Sequence, residues 1–216
     1  MRTPFFQKIN LNPSIKEEII RVSDSVRIAT LEDCNLDENN INFFSIGAKF
    51  DNHFNKRNEH QLEQLSDKSW QTNLDKKTFT NEYLDKFRFV TNFWVIYARK
   101  ESSGFPYHRH HCLHKENARI PYLLMVVHGK KSVVELVEPL NYHDPIPNPA
   151  QGDLSKDVET KVVGQYEIND SEIYLMNSWI YHTLYCDDFV RISIWNPDVR
   201  NVYEANDYID YLESLR

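Results

Sequence analysis

Between Phe87 and Trp195 the chain is a succession of short runs rich in aromatic and β-branched residues, with no helical pattern between them. This limits the available folds more than any other feature. Residues Phe87 to Ala98 open the series, alternating in part. Further strand candidates are Ile120 to Val127, Ser132 to Val137, Val158 to Val163, Glu172 to Met176, His182 to Cys186 and Val190 to Trp195. Many short strands in series specify an antiparallel sandwich or barrel. The length, 216 residues with 41% hydrophobic, suits one all-β domain of this kind. We expect a single domain over 1–216, with mixed helical and strand support over 1–86, a β core over 87–197 and a C-terminal helix over 198–216.

The flanking regions read differently. Phe5 to Leu11 is compatible with a first strand. Asn12-Pro13 then has the form of an N-cap followed by proline at the first helical position, and Ile15, Ile19, Ile20 and Val22 supply an apolar stripe. Ile41 to Phe50 is a second apolar run, expected as a strand or buried segment. Asp51 to Lys86 is polar with scattered apolar residues, where helical pieces are expected. Pro139 to Gly152 contains four prolines and resists both helix and central strand. It is expected as a surface excursion, with a lid over a barrel mouth as the alternative. At the C-terminus Tyr208, Tyr211, Leu212 and Leu215 fall at helical spacing.

Composition excludes several functions. A net charge of −7 with only short basic pairs disfavours nucleic acid as a partner. Glycine numbers 5, and neither a dinucleotide nor a P-loop fingerprint is present. Cys34, Cys112 and Cys186 are too few and too widely spaced for a disulfide framework or a CxxC zinc site. No apolar run is long enough to span a bilayer, so a soluble, cytoplasmic protein is expected.

Four of the 9 histidines fall between positions 108 and 114. Imidazole is the commonest metal ligand at neutral pH. His108 and His110 have period-2 spacing, so on an extended segment both face one way. His182, on a later strand, can supply a third ligand. Three imidazoles on one side of an octahedral ion leave positions open for substrates and oxygen. The familiar iron set is two histidines and a carboxylate; here position 110, where the carboxylate is expected, is histidine. A second register, His114 and Glu116 with His182, provides the standard ligand types but lies close to the following strand. The bland alternative is a set of histidines lining a solvated loop. No catalytic side chain beyond the ligands is singled out.

Arg191, Ser193 and Trp195 share one face of the last strand, Ile192 and Ile194 the other. A guanidinium in so apolar a strand needs a partner. One candidate is the carboxylate of a bound diacid, with Ser193 adding a hydrogen bond. The other is a structural ion pair with Asp187, Asp188 or Glu172.

His182 followed nine residues on by Arg191-Ile192-Ser193, after the strand Glu172 to Met176, resembles the C-terminal signature of the 2-oxoglutarate and iron(II)-dependent oxygenases. Residues 172–196 are similar to a phage-associated branch whose first motif is also HxH. The resemblance covers about residues 90 to 197. It implies a mainly β fold, a double-stranded β-helix (a jelly-roll or cupin-like barrel) with supporting helices, mostly N-terminal, and a C-terminal helix. It further implies Fe(II) held by His108, His110 and His182, and 2-oxoglutarate anchored by Arg191 and Ser193. The reaction would couple oxidative decarboxylation to hydroxylation of an unactivated C–H bond in a small molecule, amino acid or peptide. Tyr97, Tyr122 and Trp179 are candidate pocket walls. Two alternatives stand beside this: a cupin-type metal enzyme that does not use 2-oxoglutarate, in which Arg191 is structural, and a non-catalytic binding module on the same fold.

Overall fold

The computed structural model describes residues 6–33, 35–38, 44–49, 63–66, 69–73, 81–100, 107–109, 122–140, 154, 158–199 and 201–216. Their strands form two sheets. The larger contains β1 (Phe6–Lys8), β2 (Phe44–Lys49), β3 (Glu63–Ser66), β4 (Ser69–Asn73), β5 (Phe89–Arg99), β6 (Tyr122–Gly129), β9 (Ile173–Asn177) and β11 (Phe189–Pro197). Its order is β1-β9-β6-β11-β5-β2-β4-β3. The smaller contains β7 (Ser132–Pro139), β8 (Thr160–Ile168) and β10 (Tyr181–Cys186), in the order β10-β7-β8. A single antiparallel bridge between His108 and His182 adds residues 107–109 to the outer side of β10.

The chain path through these sheets defines the architecture. From β5 it crosses to the 107–109 segment, returns for β6, crosses for β7 and β8, returns for β9, crosses for β10 and ends in β11. Within this core each neighbouring pair is antiparallel. Such interleaving, β9-β6-β11-β5 in one sheet against 107–109, β10, β7 and β8 in the other, is a double-stranded β-helix, the expected fold. Strand bounds shift from expectation by a few residues, most at β8, which runs on to Ile168.

Both faces of the β9-β6-β11-β5 part of the large sheet are covered. Leu123, Met125, Val127, Ile192 and Ile194 turn toward the small sheet and pack with Val134 and Leu136 of β7. The alternate residues, among them Leu124, Val126, Phe93, Val95 and Trp195, pack beneath the helices. Helix α1 (Pro13–Asp33) buries Ile15, Ile19, Val22 and Val26 there. It begins where expected: Asn12 caps it, its Oδ1 accepting from the Ser14 amide at 3.0 Å. Trp195 joins helix to sheet. Its ring is fully buried and stacked on Phe89 with centroids 4.4 Å apart, and its Nε1 donates to Ser23 of α1 at 2.8 Å. Such an aromatic pair adds about 0.5–1.5 kcal/mol beyond the area it buries.

Helix α3 (Val202–Ser214) closes the same layer with Ala205, Tyr208, Ile209 and Leu212. Tyr208 rather than Tyr211 is the buried tyrosine, and its hydroxyl donates to the Phe87 carbonyl at 2.9 Å. The region from 51 to 86 departs from the helical expectation. Among its described residues only α2 (Asn81–Lys86) is helical, while β3 and β4 extend the large sheet, β4 pairing parallel with β2. Edge-strand pairing prevails there because weak periodicity provides no continuous helical stripe to bury. The β6–β7 turn requires glycine: Gly129 has φ +116, and a Cβ there would meet the Phe189 carbonyl oxygen at 2.5 Å.

Candidate metal centre

Directly paired residues of antiparallel strands point to the same side of the sheet. His182 pairs with Leu136, which lies in the layer between the sheets. His108 pairs with His182 through two reciprocal backbone hydrogen bonds, at 3.1 and 2.9 Å. Both imidazoles therefore face the inter-sheet space, and their ring centroids are 4.4 Å apart. His182 is 6% exposed. Its Nδ1 lies 2.8 Å from the Ile180 carbonyl oxygen. A carbonyl can only accept, so that nitrogen carries the proton, and in the neutral ring Nε2 carries the lone pair. Metal-binding histidines are commonly oriented in this way.

This donor set fits a cation. One nitrogen from each ring can reach a common ion, because zinc–imidazole bonds, for example, are about 2.0–2.1 Å long. Among the described residues no group of three His, Cys, Asp or Glu side chains is placed to hold a metal ion. His110, the third ligand expected, lies outside the described residues, as do His114 and Glu116 of the second register. The proline-rich segment over 141–153 lies outside them too.

Arg191 and Ser193 are placed elsewhere, which corrects the expectation of a diacid anchor beside the imidazoles. Ser193 pairs with Val95 and Val126, both buried beneath the helices, and is itself fully buried. Arg191 shares that face. Its Nη2 donates to Asp24 of α1 at 2.8 Å and its Nη1 to Glu38 at 3.3 Å. Arg27 binds the same two carboxylates, at 3.2 Å to Asp24 and 2.6 Å to Glu38. The structural ion pair exists, but with different partners from those expected: Asp188 pairs with Lys130, and Glu172 with Lys8 and Lys16. Two of the expected pocket walls are corrected likewise: Tyr97 and Tyr122 lie in the helix-side core. Trp179, on the turn before β10, is 39% exposed.

The sequence reading overlooked what flanks His108. Tyr107 donates its hydroxyl to Glu135 of β7 at 2.5 Å, and Gln165 of β8 donates to the other oxygen of that carboxylate. Burial, together with Glu135, holds the Tyr107 hydroxyl well above its ordinary pKa, so it remains a donor. The Arg109 guanidinium lies over two rings, 5.0 Å from Trp179 and 4.8 Å from Tyr181. Period-2 alternation turns Tyr107 and Arg109 to the face opposite His108, and their partners come from strands distant in sequence. Asn196, at the end of β11, was also missed. Its Oδ1 is buried without a hydrogen-bond partner among the described residues.

Beneath α1 a further histidine, His128, pairs across the strands with Arg191. Burial lowers its pKa below the ordinary 6.5, and Arg191 and Arg27 push the same way, against Asp24 and Asp170. The unfolded chain then binds a proton that the folded chain resists. Below pH about 6.5 stability should fall as pH drops, until the folded value is reached; above it this group contributes no slope. Urea denaturation between pH 5 and 8 is expected to show a shallower acid-side decline for His128→Gln than for the wild type.

No family model and no curated protein sequence matches the chain. Solved structures similar to it include the ribosomal oxygenase YcfD from Escherichia coli in complex with cobalt and 2-oxoglutarate. That likeness is 11% identical over 61% of this chain and 30% of that one, with a TM-score of 0.33. AviO1 from Streptomyces viridochromogenes Tue57 is 12% identical over 93% of this chain and 94% of that one, with a TM-score of 0.40. The 3,4-ketoisomerase QdtA from Thermoanaerobacterium thermosaccharolyticum is 13% identical over 55% and 70%, with a TM-score of 0.27. The chain spans less than a third of the length of the YcfD structures it matches.

Proposed function

We propose that the protein is an Fe(II)-dependent oxygenase that uses 2-oxoglutarate. The observation that carries the metal part is the His108–His182 pair, two imidazoles from strands 74 positions apart turned to one side at 4.4 Å. Bound there, the iron would supply oxygen activation. The chain's own contribution is to hold it: His108 and His182 would ligate, with His110 as the third ligand. The Ile180 carbonyl orients the His182 ring, and the apolar layer behind the pair excludes water. Dry surroundings strengthen electrostatic interactions with a bound ion. Use of 2-oxoglutarate rests on the resemblance of residues 172–196, with a small molecule, amino acid or peptide as the substrate. Fe(II)-dependent oxygen consumption that requires 2-oxoglutarate and yields succinate is the expected result.

One observation favours a second reading, a metal enzyme of the same fold that does not take 2-oxoglutarate. Arg191 is engaged by Asp24 and Glu38 on the helix side of β11. Anaerobic titration separates the two. A visible charge-transfer band on adding 2-oxoglutarate to the Fe(II) protein supports the first reading. Metal uptake with no response to the diacid supports the second, and no metal uptake removes both.

A further inference from the structure

We infer that Arg109 and Tyr107 are positioning residues that aim His108 into the metal centre. The inference rests on the metal reading above. Among the described residues, His108 is held to the barrel by one rung of backbone pairing, its bridge to His182. A pivot of residues 107–109 about the strand axis would swing the imidazole out of register. Each neighbour of His108 is tied down on the opposite face. On one side the Tyr107 hydroxyl reaches Glu135, and the Tyr107 carbonyl accepts from the Leu154 amide at 2.6 Å. On the other the Arg109 guanidinium stacks over Tyr181 and Trp179.

The geometry makes these ties a pair of levers. Tyr181 immediately precedes His182 on β10, so the Arg109 stack joins the two ligand-bearing strands next to both ligands. Glu135 pairs with Thr183, which immediately follows His182. The two histidines are thus braced together from both sides, on the face away from the metal. Neither Arg109 nor Tyr107 need touch the ion; each fixes the direction from which His108 approaches it. Partners hydrogen-bonded directly to a ligand account for about 10–100-fold in metal affinity, and bracing that acts through the backbone belongs at the low end of that range.

The test is equilibrium binding of Co(II) to the whole protein, followed by its visible absorption, with thermal melting of the metal-free protein alongside. Arg109→Ala is expected to weaken Co(II) binding about 10-fold and to alter the band shape, as when a ligand direction shifts. Arg109→Lys is expected to recover part of the affinity, because an ammonium also sits favourably over aromatic faces. Trp179→Leu removes one face of the stack at a side chain already 39% exposed, so folding is retained if Arg109→Ala proves unstable. It is expected to weaken binding in the same direction by a smaller factor. Wild-type affinity and band shape in Arg109→Ala, or in Trp179→Leu where the former does not fold, overturn the inference and leave the metal reading standing. A wild-type protein that takes up no Co(II) overturns both.

Discussion

Replacing His182 with alanine is expected to abolish metal uptake while leaving the fold intact. His182 is the ligand with the most complete support: it is 6% exposed, its Nδ1 is fixed by the Ile180 carbonyl, and its ring lies beside His108. Partners that merely orient a ligand carry about 10–100-fold in affinity, so losing the ligand itself should weaken binding by at least about 100-fold. The structural cost is smaller. Backbone pairing of β10 with β7 over Tyr181 to Cys186 does not depend on the ring. Truncation forfeits the ring's packing and its hydrogen bond to the Ile180 carbonyl, a local cost. Calorimetric titration with Co(II) and far-ultraviolet circular dichroism of the same sample check both halves. Undiminished metal binding in a folded His182→Ala protein would end the metal reading.

The second large effect concerns stability. Arg191→Ala is expected to destabilise the protein by about 3 kcal/mol, the low end for breaking a buried ion pair, because its partners are about a third exposed. Arg191 itself is 15% exposed, against 32% for Asp24 and 31% for Glu38. Removing it leaves the Asp24 and Glu38 carboxylates paired with Arg27 alone among the described residues. The helix would lose a tie to β11 next to Trp195. For a chain of this size that corresponds to a fall in Tm of roughly 6–12 °C. Metal affinity is expected to stay within about 2-fold, since the guanidinium lies on the far side of β11 from the histidines. A double-mutant cycle with Asp24→Asn would show coupling. The opposite pattern, unchanged stability with lost 2-oxoglutarate binding, would return Arg191 to the anchoring role that the resemblance implies.

Much of the architecture was legible because strand signals are local. β5, β6, β7, β9, β10 and β11 coincide with aromatic and β-branched runs, and α1 begins at its Asn-Pro cap. The stretch that forms β3 and β4 was not legible. β4 pairs with β2 and β3 with β4, so both depend on a sheet edge assembled from elsewhere in the chain, which no local window contains. The metal pair shows both sides of this. Clustering and period-2 spacing marked His108, and position on a later strand marked His182. That the two would pair as direct cross-strand neighbours required the fold.

Arg191 marks the limit most clearly. Alternation along β11 determined from sequence alone that Arg191, Ser193 and Trp195 share one face and Ile192 and Ile194 the other, because a strand turns each successive side chain through half a revolution. It did not determine which face meets the small sheet. In a strand exposed on one side, polarity would decide. β11 is covered on both sides, by β7 and β10 across the barrel and by α1 behind it, so either face could have been the inner one. Only the tertiary structure, by bringing Asp24 and Glu38 over β11, placed the guanidinium behind the sheet and the isoleucines in front.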